Sequence, residues 1–330
     1  MDTQRELHLN SQSSRRFLKE LEIGEPFTGF FVLRSRELRT RRDGQPYLVL
    51  ELGDRSGRLF GNVWDDVEHL YKDLIEGGIV KVQGRIEEYR GQKQVGIKQI
   101  RNVRPEDNYN TGDFIPISDL KPEEALRQVD CILDSLADTH VKSLLESFFK
   151  DEKFRDLFTR APGGKLWHHN RLGGLAEHTL GICRICRVMS RLYPEINRDV
   201  LLAGALLHDI GKIQEFVYET HIDYSNRGRL VGHISMGSQW VAQAAAELPE
   251  FPADLLDKIQ HLVLSHQDEF GSPVLPMTQE AFILHYADQI DSKMDAIRRI
   301  RKDVPEGERW KFVNLLGRHL DVGEVDEDQS

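Results

Sequence analysis

Leu201-Leu202-Ala203-Gly204-Ala205-Leu206-Leu207-His208-Asp209-Ile210-Gly211-Lys212 is the stretch on which the reading of this chain turns. Its first seven residues are apolar and predict a helix buried all round, with Asn197 and Asp199 available to cap its start. Gly211 is placed to stop that helix, and a lysine follows. His208 and Asp209 are carried inward with the leucines. A buried imidazole and a buried carboxylate need a partner, and a metal ion satisfies both. On its own the pair reads more simply as a His and an Asp hydrogen-bonded at a helix end.

Four more ligand-type residues in separate helical patterns shift that balance. His178 lies in Gly173-Gly174-Leu175-Ala176-Glu177-His178-Thr179-Leu180, His233 in Val231-Gly232-His233-Ile234, His266 in Leu264-Ser265-His266-Gln267, and Asp288 in His285-Tyr286-Ala287-Asp288. The order H, HD, H, H, D, across about residues 165–300, resembles the HD superfamily of metal-dependent phosphohydrolases. That resemblance implies one ion held by His178, His208, Asp209 and Asp288. It implies a second held by His233 and His266, with Asp209 bridging. Imidazole and carboxylate ligands suit Mn, Fe, Co or Zn, so ligand type leaves the ion open. The chemistry asks for such a set, because paired cations neutralise a phosphodiester, generate the nucleophile from water and stabilise the departing oxygen. Lys212, one helical turn beyond His208, is a candidate catalytic helper that presents its ammonium to the phosphate or leaving group. The plainer reading is a solvated lysine at a helix C-terminus.

Other residues in this half are candidates for substrate contact. His168, His169 and Asn170 precede the first ligand helix and are placed to line the cleft, against ordinary loop packing. Tyr224, Arg227 and Arg229 lie in a polar connection between Lys212 and His233, where the arginines are placed to clamp a phosphate, against a solvated loop. His221, His261 and His285 fall outside the ligand order; His285, one helical turn before Asp288, is placed to support the ligands from behind, and reads more simply as a packed histidine. Cys183 and Cys186 form a C-x-x-C inside the helical run Thr179 to Leu192. With no second pair, they read as packing residues.

The first third of the chain has a different rhythm. Phe27 to Leu33 and Tyr47 to Leu52 read as strands separated by the basic turn Arg39-Thr40-Arg41-Arg42-Asp43-Gly44. Asp54-Arg55-Ser56-Gly57 precedes a third strand ending at Trp64. A short helix follows from about Asp65 to Ile75, then strands from Ile79 to Tyr89 and from Gln94 to Val103. Five strands with a helix between the third and fourth is the OB-fold arrangement. Its groove has Tyr47, Trp64 and Tyr89 as stacking candidates and Arg34, Arg39, Arg41, Arg42 and Lys93 as phosphate contacts. Phe60 and Trp64 share a strand face, and filling the barrel core is the alternative for both.

The net charge of −10 speaks against a nucleic-acid partner only until its distribution is read. From Phe30 to Arg104 there are 15 Lys and Arg against 11 Asp and Glu, a local balance of +4. A phosphate-binding face needs only local basicity. Three cysteines in 330 residues are too few for a disulfide framework and point to a reducing compartment. There is no apolar run of membrane-spanning or signal length, so the expected location is the cytoplasm. The expected fold is a multidomain α and β chain, an N-terminal five-stranded OB-fold β-barrel followed by an all-α HD-domain helical bundle. Its boundaries are a flexible N-terminus at 1–18, the OB-fold domain at 19–104, a linker at 105–121, the HD domain at 122–315 and an acidic disordered tail at 316–330.

An OB module ahead of an HD domain, with His168-His169-Asn170, Glu177-His178-Thr179, His208-Asp209-Ile210-Gly211-Lys212 and Gly271-Ser272-Pro273-Val274-Leu275-Pro276, resembles the YhaM-type 3′-5′ exoribonucleases of bacteria. The resemblance spans about residues 20–300. It implies a metal-dependent phosphodiesterase, stimulated by manganese or cobalt, that trims single-stranded RNA, and in some members single-stranded DNA, from the 3′ end. A homo-oligomer is compatible with it. Gln267 departs from the pattern, standing where a second histidine is expected beside His266. The competing readings are an HD nucleotide or cyclic-nucleotide phosphohydrolase regulated by its OB domain, and a non-catalytic single-strand-binding protein.

Overall fold

The computed structural model describes residues 16–41, 43–89, 91–165, 167–267, 271–302, 304 and 309–323. After Pro116 the chain divides into two compact units. In the first, β1 (Pro26–Thr40), β2 (Pro46–Gly53), β3 (Arg58–Val63), helix α1 (Val67–Asp73), β4 (Ile79–Tyr89) and β5 (Gln92–Asn102) follow in that order. They close into a barrel, β1-β2-β3-β5-β4, as the expected OB arrangement requires. Period-two alternation points Leu48, Leu50 and Leu52 of β2 and Val80, Val82 and Ile86 of β4 into its core.

β1 is twice the length its apolar pattern predicts. Pro26–Val32 pairs with β4, and after an irregularity between Leu33 and Ser35 the strand runs on to Thr40 against β2. Closing a small barrel asks one strand to serve two neighbours, and its second half faces solvent and reads as polar. Arg39 and Thr40 therefore belong to a strand rather than to the turn expected there.

Two segments expected to be loose are packed. Leu18, inside the expected flexible N-terminus, enters the barrel core, and its N–H donates to Asp54 Oδ2 at 2.7 Å. Residues 1–15 lie outside the described ones. In the expected linker, Phe114 is fully buried against Val32 and Ile79. There too Asp107 accepts from Arg101 and Lys81. Two apolar residues among turn formers are too few to show a period.

The second unit contains α2 (Pro122–Asp134), α3 (Thr139–Phe149), α4 (Glu152–Arg160), α5 (Gly174–Leu192), α6 (Arg198–Leu207), α7 (Lys212–Glu215), α8 (Asn226–Val231), α9 (His233–Ala246), α10 (Ala253–Ser265) and α11 (Gln279–Lys302). α6 sits in the middle of the core, with every residue from Val200 to Leu207 buried. Asn197 caps it, accepting from the N–H groups of Asp199 and Val200. Asp199 instead accepts from the N–H groups of Ala137 and Asp138, tying the start of α6 to the α2–α3 connection. α3 is capped by Asp138, whose side chain accepts from the N–H groups of His140 and Val141. Cys183 and Cys186 are buried in α5 as packing residues, whereas Cys131 is exposed.

Two short hairpins escape the periodic reading, β6 (Phe216–Val217) with β7 (Asp223–Tyr224) and β8 (Trp310–Val313) with β9 (Arg318–Asp321). Strands this short carry no period to detect. β9 occupies the start of the expected acidic tail, and residues 324–330 of that tail lie outside the described ones. Among the described residues no helix is long and apolar enough to cross a membrane.

Candidate metal centre and nucleic-acid interface

Five helices deliver the H, HD, H, H, D residues to one place. His178 lies in the second turn of α5, His208 caps the C-terminus of α6 and Asp209 follows it. His233 opens α9, His266 caps α10, and Asp288 lies within α11. The two oxygens of Asp209 face different histidines. Oδ2 is 3.2 Å from His208 Nε2 and 3.5 Å from His178 Nε2, whereas Oδ1 is 3.4 Å from His233 Nε2 and 3.6 Å from His266 Nε2. Asp288 Oδ1 is 3.2 Å from His178 Nε2.

Every one of these rings is fixed from behind. His178 Nδ1 donates to Asp291 Oδ2 at 2.7 Å and His208 Nδ1 to the Ala205 carbonyl at 2.9 Å. His233 Nδ1 donates to Glu215 Oε1 and His266 Nδ1 to the Val263 carbonyl, both at 2.8 Å. Those partners only accept, so each Nδ1 carries a proton, and each Nε2, once deprotonated, presents a lone pair inward. His178 Nε2, His208 Nε2, His266 Nε2 and Asp209 Oδ1 are buried without a hydrogen-bond partner among the described residues. Orphaned polar atoms of this kind are costly, and a divalent cation is the partner that imidazole nitrogen and carboxylate oxygen together fit.

Charge balance supports the same reading. Burial alone would raise the Asp209 carboxyl, but the Lys212 ammonium and the neighbouring imidazoles hold it well below the usual carboxylate range. Burial would lower His178, and the Asp209, Asp288 and Asp291 carboxylates outweigh it, raising the ring well above the ordinary imidazole value. A divalent cation held there would therefore compete with a proton for His178 Nε2.

Lys212 is neither solvated nor at a helix C-terminus. It opens α7, is 5% exposed, and donates to Asp209 Oδ2 at 2.6 Å and to the Gly163 carbonyl at 2.7 Å. Gly211 is not a left-handed helix stop either, since its φ is −60°. It is there for space: a Cβ at Gly211 would stand 2.8 Å from both Cα and carbonyl carbon of His233 and closer still to the oxygen.

The His168-His169-Asn170 trio splits. Asn170 Oδ1 accepts from Arg299. His169 is 3% exposed and its Nε2 lies 2.8 Å from Asp291 Oδ2. His168 alone keeps both ring nitrogens buried and unpartnered among the described residues, and it brings one of them within 4.8 Å of ligand atoms of His178 and Asp288. Burial and then the Lys212 ammonium hold its pKa down at about 2. Gln267 meets His233 directly, its Nε2 3.0 Å from His233 Nε2. His285 Nδ1 donates to the His266 carbonyl, and His261 Nε2 accepts from the N–H of Met277. Tyr224, 38% exposed, has Lys165 Nζ at 5.3 Å and the Arg229 guanidinium at 5.6 Å from its ring centre. Arg229 also pairs with Asp223, and Arg227 reaches Gln239.

Sequence reasoning missed the supporting carboxylates. Asp291 and Asp295, at i+3 and i+7 from Asp288 on α11, were open to discovery by helical spacing. Glu215, behind His233, carried no such signal.

On the barrel, Tyr47 and Trp64 stack with ring centres 4.9 Å apart, and the Arg41 guanidinium covers Trp64 at 4.1 Å. Trp64 and Phe60 are 48% and 57% exposed, so both lie outside the barrel core. Tyr89 is exposed at the end of β4. Arg39 pairs with Glu37, and Lys93 donates to the Leu21 carbonyl. Arg34 is folded over Gly53 with its Nε buried, and burial lowers its pKa to about 10. Arg42 lies outside the described residues.

Residues 175–293 match the HD domain family, and residues 32–103 match the OB-fold nucleic acid binding domain family. The 3′-5′ exoribonuclease YhaM of Oceanobacillus iheyensis is 35% identical, over 87% of this chain and 90% of that protein. Its namesakes from Shouchella clausii and Bacillus subtilis are each 32% identical, over 91% and 89% of this chain and 93% and 94% of theirs. Among solved structures, the second OB-fold domain of replication protein A from Methanococcus maripaludis matches 29% of this chain and 98% of its own, at 18% identity and a TM-score of 0.23. With an HD domain behind an OB-fold barrel, and relatives this similar along nearly their whole length, the chain belongs to the 3′-5′ exoribonuclease YhaM family.

Proposed function

We propose that the chain is a divalent-cation-dependent exoribonuclease that removes nucleotides from the 3′ end of single-stranded RNA, with single-stranded DNA as a second substrate. The observation that carries this reading is Asp209, whose oxygens face two different pairs of histidines across buried, unpartnered atoms. His178, His208, Asp209 and Asp288 would hold one cation, and Asp209, His233 and His266 a second, with Mn the ion we favour. Bound there, the cations supply neutralisation of the phosphodiester and activation of water for attack.

The rest of the work falls to the chain itself. The Nδ1 hydrogen bonds hold each imidazole in the tautomer that leaves Nε2 available. Lys212 steadies Asp209 through Oδ2 and so acts on the carboxylate rather than on the phosphate. Tyr224, with Lys165 and Arg229 beside it, offers a ring and two cations to the terminal nucleotide. The Tyr47, Trp64 and Arg41 stack offers the barrel's platform for a base. Carrying both parts on one chain raises the local concentration of a polymer's end, which favours RNA over a free nucleotide. The three free thiols and an RNA substrate support a cytoplasmic location.

A 5′-labelled oligoribonucleotide with Mn²⁺ should give a ladder that shortens stepwise from the 3′ end, and Asp209→Ala should abolish the ladder while RNA still binds. An intact oligomer beside rapid turnover of a free nucleotide would replace this reading with a nucleotide phosphohydrolase.

A further inference from the structure

Three triplets of candidate ligand atoms share His178; the one with His169 and Asp291 gathers at the carboxylate to which His178 Nδ1 already donates, and two remain. His178, His208 and Asp209 each bring one ligand atom within 4.8 Å of the other two, and so do His168, His178 and Asp288. Yet His178 has one nitrogen to give, because Nδ1 donates to Asp291 and only Nε2 remains. An imidazole nitrogen carries a single lone pair and holds one ion. The two triplets are therefore one site met from two sides. Asp209 is the contrasting case, having two oxygens turned to two sets of histidines.

His168 bears this out. Both its ring nitrogens are buried without a partner among the described residues, and its ring centre is 5.0 Å from that of His178. Its neighbour His169 does a different job, with its ring at 83° to that of His168 and its side chain on Asp291. The backbone of His169 is left-handed, φ 44°, a costly conformation for a residue with a side chain. It is held there by its N–H on Asp295 Oδ2 at 2.6 Å and its carbonyl on the Gly163 N–H at 3.0 Å. That turn sets the histidine before it against the cluster.

The geometry points to His168 as an additional ligand of the first divalent cation, beside His178, His208, Asp209 and Asp288. This rests on the metal-dependent reading of the site. The test is Mn²⁺ titration of the chelator-stripped full-length protein, followed by calorimetry. His168→Ala should weaken the first binding event by roughly 10–100-fold, as His208→Ala does, while His233→Ala leaves it in place. Pulsed electron paramagnetic resonance of the His233→Ala protein, loaded with one Mn²⁺ per chain and labelled with ¹⁵N-histidine, should count three coupled nitrogens. Adding His168→Ala should leave two, and the spectrum of the unmodified His168 protein decides the matter even if the alanine variant unfolds. Two nitrogens with His168 present, or unchanged first-site affinity in His168→Ala when His208→Ala loses it, overturns the assignment of His168 alone. A wild-type protein that takes up no Mn²⁺ overturns both this assignment and the reading beneath it.

Discussion

Gly211→Ala tests whether backbone packing, rather than ligand identity alone, builds the cluster. The added methyl would meet the Cα and carbonyl carbon of His233 at 2.8 Å, where ordinary contacts begin at 3.4 Å. Both neighbours are backbone, so no rotamer relieves the clash and α9 must retreat by at least about 0.6 Å. Alanine gains nothing in return, since Gly211 caps α7, a position where alanine is poorer than glycine. Overpacking of this kind costs about 1–3 kcal/mol. At roughly 2–4 °C per kcal/mol for a unit of this size, Tm should fall by several degrees. His233 Nε2 now stands 3.4 Å from Asp209 Oδ1, and coordination tolerates displacements of only about 0.2 Å. The variant should therefore lose the cation between His233, His266 and Asp209, keep the one between His178 and His208, and lose exonuclease activity. Elemental analysis after dialysis reads the first effect, and scanning calorimetry the stability. Gly237→Ala, on α9 itself, is the control. Its Cβ would meet nothing closer than 3.5 Å, so it should be neutral or stabilising by about 0.5–1 kcal/mol. Full metal content and an unchanged Tm in Gly211→Ala would refute the reasoning.

Asp291→Ala, which removes the acceptor behind His178, should weaken metal binding roughly 10–100-fold with less effect on RNA affinity, measured by calorimetry and filter binding. Metal affinity should fall as pH is lowered from 8 to 6, because the carboxylates raise the His178 pKa and protons then compete for Nε2. Proton release on Mn²⁺ binding, read from buffers of different ionisation enthalpy, checks the sign. Trp64→Ala should cost about 1–3 kcal/mol of RNA binding while leaving hydrolysis of a short substrate intact; equal affinity would remove the Tyr47 and Trp64 stack from the strand's path. A thiol reagent at neutral pH should modify Cys131 quickly and Cys183 and Cys186 only on denaturation, since burial pushes the Cys186 thiol up to about 12 and Cys183 well above its usual value.

The metal cluster was legible because its residues interrupt strongly apolar helices, where a His or Asp has no reason to be unless it is paired. The barrel was legible from alternation in β2 and β4 and from glycine turns. What stayed hidden has common physical causes. The outer half of β1 faces solvent, so its strand period carries no apolar signal. Phe114 and Leu18 are single buried residues in polar surroundings. Lys212 reads from spacing as a free cation, and only the three-dimensional turn at Ile210 and Gly211 brings its ammonium onto Asp209. The separation of His168 from His169 depends on a left-handed backbone at His169, for which a histidine gives no warning.

The cluster draws its members from α5, α6, α9, α10 and α11, and the last of them, Asp288, comes late in the chain. During synthesis the ribosome must therefore release nearly the whole polypeptide before the carboxylate of α11 can join the rest. A copy halted before α11 holds the strands of the barrel but an incomplete set of ligands, so the cluster closes only once synthesis has passed Asp288.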